Sequence, residues 1–213
     1  MSQIQDVTIM AMASLAETRD NETGNHIRRT QNYVKALAQK LRNHPKFVDY
    51  LTPHTIEMLY KSAPLHDIGK VGIPDRILLK PGRFEPEEFE IMKKHTTLGH
   101  DAILAAERLL VSPNTFLSMA REIAHCHQEK WDGGGYPRGL KGEEIPVSAR
   151  LMAVADVYDA LISRRVYKPG MSHEKAVEII RDGRGSHFDP DMVDAFLAIS
   201  EQFREIAQRY GDS

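Results

Sequence analysis

The sequence has little of what defines several protein classes. It contains one cysteine, Cys126, in 213 residues, so an internal disulfide is excluded and thiolates cannot build a zinc ribbon or an iron–sulfur cluster. No apolar run approaches the roughly 20 residues that span a bilayer, and residues 1–6 lack the basic and then apolar pattern of a secretion signal. We therefore expect a cytoplasmic protein without a membrane partner, in which histidine and carboxylate hold any metal ion.

Neither sign of charge dominates the chain. There are 28 basic and 30 acidic residues, which gives a formal net charge of -2. A balance of this kind provides no overall field for a nucleic acid polymer, so such a partner is not expected. A small anionic ligand can still bind a local group of lysine and arginine side chains.

No stretch alternates apolar and polar residues as a half-buried strand does, whereas helical spacing recurs along the chain. Thr52 followed by Pro53 is typical of a helix start, and Pro86 followed by two glutamates marks another. The sequence predicts one all-α domain, a compact bundle of many helices. The predicted helices cover 7–18, a segment from near 22–26 to 42, 53–65, 86–95, 99–110, 113–127, 148–163, 172–181 and 190–210.

One long irregular segment interrupts this pattern at 129–146. It is rich in glycine and proline and includes three consecutive glycines, Gly133, Gly134 and Gly135. Loops of this length inside a compact domain are usually functional. A second segment, 69–83, predicts an ordered loop around a short apolar piece.

Several residues that can bind metal fall at helix ends or on helix faces. His66 and Asp67 are adjacent where a helix meets a turn, a pair that by itself is more typical of an exposed loop than of a metal site. Glu22 and His26 are four residues apart and therefore share one helix face, a spacing common in bundle metal sites. Three further candidates are His95, His127 and Asp156.

Asp156 lies in the strongly apolar helix 148–163. A carboxylate there is costly unless a partner compensates its loss of water, and a metal ion does so directly. The alternative is an ion pair with Arg150 or Arg165. For His95 or His127 taken singly, a hydrogen bond to backbone or water at a helix end is the simpler explanation.

Taken in order, these motifs resemble the signature of HD-GYP domains, and the similarity extends over about residues 13–196. The resemblance implies an all-helical HD-type bundle with a centre of two or three divalent transition-metal ions, iron or manganese first. Histidine and carboxylate ligands also accept nickel, cobalt and zinc. The usual substrate of HD-GYP domains is cyclic di-GMP. The motifs are Glu22 to His26, His66-Asp67-Ile68-Gly69-Lys70, His95, residues 127–137 with the triplet Gly135-Tyr136-Pro137, and residues 155–161.

Carried over by position, the resemblance implies seven metal ligands. Asp67 would bridge two ions, and Glu22 would belong to a third. One departure concerns Gln128, since many members have a second histidine after the one at position 127. Glutamine is a weaker donor, so we expect a two-metal site. His125 lies two residues before His127 and does not occupy the position of the missing histidine. The implied ligands are Glu22, His26, His66, Asp67, His95, His127 and Asp156.

The resemblance also implies residues that contact substrate. Asp67 and Lys70 would be catalytic, and Lys70, Tyr136, Arg165 and Lys168 would bind the dinucleotide. The substrate-binding residues also have plainer alternatives. Lys70 would be a solvated loop lysine, and the glycines before Tyr136 would form a structural turn. Arg165 and Lys168 would compensate the charge of a helix C-terminus.

The predicted function is a metal-dependent phosphodiesterase that hydrolyses cyclic di-GMP to linear pGpG and then, in some cases, to GMP. A catalytically weak cyclic di-GMP receptor, and an HD enzyme acting on another cyclic dinucleotide such as cyclic GMP-AMP, remain alternatives. We expect residues 1–20 to form an N-terminal helix that links the domain to a receiver or sensor domain, and 21–213 to form the catalytic domain. The apolar face of residues 7–16 either mediates a homodimer or packs on the bundle.

Overall fold

The computed structural model describes residues 3–19, 25–112, 114–163 and 170–211. These residues form α-helices and short 3₁₀ segments without a β-strand, which confirms the all-α prediction. The helices are α1 (Gln3–Glu17), α2 (Asn25–Leu41), α3 (Pro53–Ser62), α4 (Asp75–Leu78), α5 (Pro86–Glu107), α6 (Thr115–Cys126), α7 (Val147–Ile162), α8 (His173–Asp182), α9 (Pro190–Ala198) and α10 (Ser200–Arg209), and the 3₁₀ segments are Ala63–Leu65, Ile68–Gly72 and Gly142–Glu144.

The core forms around α2 and α7, which contact each other and several neighbouring helices. Ile27, Val34, Leu37 and Leu41 recur at the three- and four-residue spacing that places side chains on one face, and all are buried. Helix α7 is buried over most of its surface, as its apolar composition requires. The two helices therefore bring their polar residues, His26 and the acids of α7, into the interior of the bundle.

Local signals define several helix starts as the sequence predicts. The Thr52 side chain accepts a hydrogen bond from the backbone of Thr55, and Pro53 occupies the first turn of α3. At the start of α5, Pro86 occupies the first turn, and the side chain of Glu88 accepts a hydrogen bond from the backbone N–H of Glu85. Both arrangements satisfy backbone N–H groups that have no partner within the helix.

Apart from shifts of a few residues at helix ends, the structure differs from the predicted segments at three points. Helix α5 runs without a break through Gly99, because this glycine permits close packing against Gly69 and does not end the helix. The segment 69–83 is not a plain loop, since it contains part of a 3₁₀ segment and α4. The predicted helix 190–210 is divided at Ile199, whose φ of -125° and ψ of 20° are not helical.

The N-terminal helix α1 packs on the 3₁₀ segments that flank His66 and Asp67. Ala13 and Ala16 are buried in this contact, whereas Ile4 and Leu15 remain exposed. Beyond α1, the Arg19 guanidinium pairs with Asp75 and donates to the backbone carbonyls of Val71 and Ile73. Among the described residues, no helix has both the length and the apolar character needed to cross a bilayer.

Candidate metal centre

Six of the predicted ligands come together at the middle of the bundle from five different parts of the chain. His26 lies in the first turn of α2, His66 and Asp67 lie between two 3₁₀ segments, and His95 lies within α5. His127 follows the last turn of α6, and Asp156 lies in α7. The four histidines are buried, at most 3% exposed. The seventh predicted ligand, Glu22, lies outside the described residues.

The described part of the chain contains two groups of three side chains whose ligand atoms lie within 4.8 Å of one another. The first group is His26, His66 and Asp156. Here the two Nε2 atoms are 3.3 Å apart, and Asp156 Oδ1 lies 3.8 Å from Nε2 of His26 and 3.7 Å from Nε2 of His66. Separations of this size suit ligand atoms that share one ion, since each metal bond is about 2.0–2.2 Å long.

The second group is Asp67, His95 and His127. Asp67 Oδ1 lies 3.3 Å from Nε2 of both histidines. Its other oxygen, Oδ2, lies 3.4 Å from Nε2 of His66, which belongs to the first group. The Asp67 carboxylate therefore presents one oxygen to each group, which is the arrangement of a bridging ligand.

Each of the four imidazoles is held through Nδ1. The acceptors are the carbonyl of Ala63 for His66, of Met92 for His95 and of Ile123 for His127, at 2.8–3.0 Å. His26 uses the Asp159 carboxylate instead, at 2.8 Å. Carbonyl and carboxylate oxygens only accept, so Nδ1 carries the hydrogen and each neutral ring keeps its lone pair on Nε2. Metal-binding histidines are oriented in this way.

Three buried atoms at the centre have no hydrogen-bond partner among the described residues: Asp67 Oδ1, His95 Nε2 and His127 Nε2. Buried polar atoms are nearly always satisfied in folded proteins. All three face one another and all three are electron-pair donors, so a cation between them would satisfy them together. The residues present therefore fit a metal centre.

Burial and neighbouring charge act in opposite directions on the ionisation of these residues. Burial would raise the pKa of Asp67, but Lys70 and the surrounding histidines hold it well below its usual range. Burial lowers the pKa of His66, and that of His95 to about 4, against the attraction of Asp67. Burial would also lower the pKa of His127, yet its interaction with Asp67 raises it. An ionised acid among mostly neutral imidazoles is the state that binds cations.

Lys70 lies beside the centre. Its Nζ is 2.7 Å from Asp67 Oδ2, and its side chain is 16% exposed. The alternative of a solvated loop lysine therefore does not describe this residue. A cation at this position can meet the negative charge of a phosphate that approaches the centre.

The sequence did not indicate the outer layer of the site. Asp159, one turn beyond Asp156 on α7, is buried and accepts hydrogen bonds from Arg29 Nε at 2.7 Å and from Arg29 Nη2 at 3.0 Å, in addition to that from His26. Burial would raise the pKa of Asp159, but the hydrogen bonds from His26 and Arg29 lower it. The spacing to Asp156 and the apolar surroundings of Asp159 were the available signals.

Arg150, a proposed partner of Asp156, pairs instead with Asp189 at 2.8 Å. The other proposed partner, Arg165, lies outside the described residues, as does Lys168. The His125 ring lies at a tilt beside that of His100, with centroids 4.2 Å apart, and His125 belongs to neither ligand group.

The glycine-rich loop reaches the centre through Tyr136, whose ring centroid is 6.3 Å from that of His95. Burial, with Asp67 and Asp156 nearby, raises the pKa of Tyr136. Its backbone N–H donates to the carbonyl of Gln128. A Cβ on Gly135 would lie 2.3 Å from the backbone nitrogen of Lys130, so this position requires glycine for close packing of the loop.

Two further contacts fix the same loop. The buried Glu129 carboxylate accepts hydrogen bonds from the backbone of Arg138 and Leu140. Trp131 and Asp132 donate from their backbone to the carbonyls of residues 187 and 186. The loop is thereby anchored on both sides of Tyr136.

The chain is an all-helical bundle that carries two groups of histidine and aspartate side chains fit to bind metal. Comparison with known families identifies the family to which such a bundle belongs. Residues 10–192 match a family model described as the HD domain. The chain belongs to the HD domain family, which confirms the resemblance on which the sequence predictions were based.

Curated relatives carry names that agree with this family. A "Probable cyclic di-GMP phosphodiesterase" of Vibrio cholerae is 58% identical over all of this chain and 48% of its own length. A "Cyclic di-GMP phosphodiesterase" of the same organism is 59% identical over 98% of this chain and 42% of its own length. One from Thermotoga maritima is 44% identical over 93% and 50%. The chain thus spans about half the length of the curated relatives it matches.

Solved structures share the fold. A protein described as HDG"Y"P from Bdellovibrio bacteriovorus has a TM-score of 0.59 at 22% identity and covers 90% of this chain and 57% of its own. A cyclic GMP-AMP specific phosphodiesterase of V. cholerae has a TM-score of 0.62 at 21% identity and covers 95% and 52%. These likenesses support the HD-type bundle.

Proposed function

We propose that the chain is the catalytic domain of a metal-dependent phosphodiesterase that hydrolyses cyclic di-GMP to linear pGpG, with further cleavage to GMP as a second step. The names of the relatives from V. cholerae and T. maritima support the substrate. The observation that carries the proposal is the Asp67 carboxylate, which offers one oxygen to each of two groups of ligands.

Two adjacent divalent ions, when bound, supply Lewis acidity toward a phosphodiester and lower the pKa of water. The chain contributes the positions of the donors. His26, His66 and Asp156 would hold one ion, and His95 and His127 the other, with Asp67 between them. The burial of the four histidines excludes bulk water from their ligand atoms, and the Nδ1 hydrogen bonds keep each Nε2 directed inward.

We expect two ions, because the two groups account for the six described ligands. A third ion would need Glu22, and the position after His127 holds Gln128, a weak donor. Iron and manganese remain the first candidates, with nickel, cobalt and zinc after them, since histidine and carboxylate ligands accept all five.

Lys70 and Tyr136 would contact the substrate. The Lys70 ammonium would donate to a phosphoryl oxygen or to the oxygen that leaves, and its 2.7 Å contact with Asp67 supports this role. The Tyr136 ring faces the same region from the anchored loop. Arg165 and Lys168 stay predicted contacts to phosphate or guanine.

The proposed organisation assigns residues 1–20 to a linker helix and 21–213 to the catalytic domain. The greater length of the relatives supports a receiver or sensor domain as the partner of α1. A homodimer through the exposed face of α1 and a cytoplasmic location both stay predictions.

Asp67→Ala tests the proposal directly. Removal of the shared carboxylate should abolish tight metal binding and turnover, while helical content by circular dichroism is retained. Asp182→Ala is the matched control, because this aspartate lies at the exposed end of α8, with 75% of its side chain exposed. Metal content would be measured on protein prepared without oxygen, and hydrolysis by chromatography of the products. Hydrolysis of cyclic di-GMP by Asp67→Ala at the control rate would contradict the proposal.

A substrate panel separates the alternatives. Relatives named 3'3'-cGAMP-specific phosphodiesterases are 38% and 29% identical to this chain, so cyclic GMP-AMP belongs in the panel beside cyclic di-GMP. Faster cleavage of cyclic GMP-AMP would assign the chain to the second substrate. Tight binding of cyclic di-GMP without turnover in the metal-loaded protein would instead identify a receptor.

A further inference from the structure

An aromatic ledge extends outward from the metal centre. It consists of Tyr136 and Phe89, whose rings meet edge to face with centroids 5.8 Å apart and an interplanar angle of 86°. Tyr136 in turn lies edge to face against His95. The Tyr136 ring therefore separates Phe89 from the metal centre. In a nucleotide, the ribose separates the base from the phosphate in the same way.

Packing does not account for the position of Phe89. The small core cluster beneath this end of α5 is formed by Ile73, Ile77 and Leu78, and Ile91 and Met92 pack against it. Phe89 lies outside that cluster and is 42% exposed. An exposed ring is unremarkable when it stands alone, but this one continues a line of rings that begins at the site.

A cation lies at the rim of the ledge. Lys93 Nζ is 5.4 Å from the ring centre of Phe89 and 5.8 Å from that of Tyr136. It also pairs with Glu90, one turn away on α5, at 2.5 Å. An ammonium group has three N–H donors, so Lys93 can keep this ion pair and still donate to a ligand on the ledge.

We propose that Phe89, Tyr136 and Lys93 form a guanine subsite. The base stacks on the exposed part of the Phe89 ring, and the Lys93 ammonium donates to O6 or N7 on the edge of the base. Aromatic faces bind any base by stacking, whereas the edge distinguishes guanine, with two acceptors, from adenine, which presents an amino group beside N7. This inference rests on the proposed function, and it adds the residues that select the base.

Substitutions at Phe89 test the stacking. Phe89→Leu keeps an apolar side chain without a ring face, and Phe89→Trp keeps the face. Stacking of one base corresponds to a change of about 5- to 150-fold in affinity. Phe89→Leu should therefore lower kcat/KM for cyclic di-GMP by about tenfold, mainly through KM, and Phe89→Trp should retain most of the wild-type value. Leu109→Ala, at a residue 85% exposed beyond α5, is the control. Equal kcat/KM in wild type and Phe89→Leu, or equal loss in both Phe89 variants, would overturn the proposal.

Inhibition by mononucleotides keeps this test separate from the proposed function. Methyl 4-nitrophenyl phosphate reports phosphodiester cleavage without a nucleobase, and GMP and AMP are added as competitors. Phe89→Leu should raise the inhibition constant of GMP about tenfold, and Lys93→Met should reduce the preference for GMP over AMP. Unchanged constants would reject the subsite. Wild-type protein that cleaves the small diester but not cyclic di-GMP would reject the proposed function instead, and the GMP result would still decide the subsite.

Discussion

The contact between Gly69 and α5 offers a sharp test of how the centre is assembled. Gly69 follows Asp67 by two residues and packs against the backbone of His95. The two segments that carry these ligands therefore touch at this point. A Cβ on Gly69 would lie 1.9 Å from the carbonyl oxygen of His95 and 2.4 Å from the nitrogen of Gly99. Neither obstacle is a side chain that can rotate away.

The size of the disturbance follows from these distances. Extending the 1.9 Å contact to an ordinary 3.4 Å needs a backbone separation of about 1.5 Å in a closely packed interior. Metal-ligand bonds tolerate deviations of only about 0.2 Å. Gly69→Ala should therefore weaken binding at the group of Asp67, His95 and His127 by about 100-fold or more, and overpacking should cost about 1–3 kcal/mol of stability.

Gly72→Ala provides the matched control within the same 3₁₀ segment. Its Cβ would meet the end of the Leu98 side chain at 2.8 Å, and that side chain is free to move into solvent. Elemental analysis after dialysis against a fixed free metal concentration gives the ions bound per chain, and urea unfolding gives the stability. Metal content and turnover in Gly69→Ala equal to those of Gly72→Ala would refute the reasoning.

Three further predictions follow from the surroundings of the centre. Asp159→Asn should weaken metal binding about 10- to 100-fold, because His26 loses its charged acceptor, and calorimetric titration measures this loss. The same substitution should lower the free energy of unfolding by about 3–5 kcal/mol, because the buried Arg29 loses the carboxylate charge that it faces, and urea unfolding measures this effect. In metal-free protein, burial lowers the pKa of His95 from its ordinary 6.5 to about 4. Between these pH values the unfolded chain binds more protons than the folded chain, so the free energy of unfolding should fall as the pH drops from 6.5 toward 4. His95→Gln should make the free energy of unfolding less dependent on pH in this range. Glu129→Ala should leave two backbone donors of the loop unsatisfied, cost about 2–4 kcal/mol and raise KM for cyclic di-GMP, which steady-state kinetics would detect.

The sequence was informative where a residue type has few reasons to occur. Imidazoles and acids recurred at helix ends in a family order, and His66, Asp67 and His95 meet as the resemblance implied. It was less informative where one residue type serves several purposes. Gly99 looks like a helix boundary, yet it permits close packing inside α5, and only the partner at Gly69 distinguishes the two uses.

The outer contacts could not be predicted for a related reason. Asp159 and Arg29 are 130 residues apart in the chain, and nothing local pairs an acid on α7 with a base on α2. Their meeting depends on the crossing of two helices, which periodicity does not specify. The position of Phe89 beside Tyr136 depends in the same way on how the loop packs against α5.

The Nδ1 hydrogen bonds have a consequence for how the protein handles metal in a cell. Rings that are already fixed by backbone carbonyls lose little freedom when an ion arrives, so capture requires no folding step and release need not unfold the bundle. We therefore expect that one folded chain exchanges one metal for another as supply changes, and that the turnover of the proposed phosphodiesterase follows the metals available in the cell.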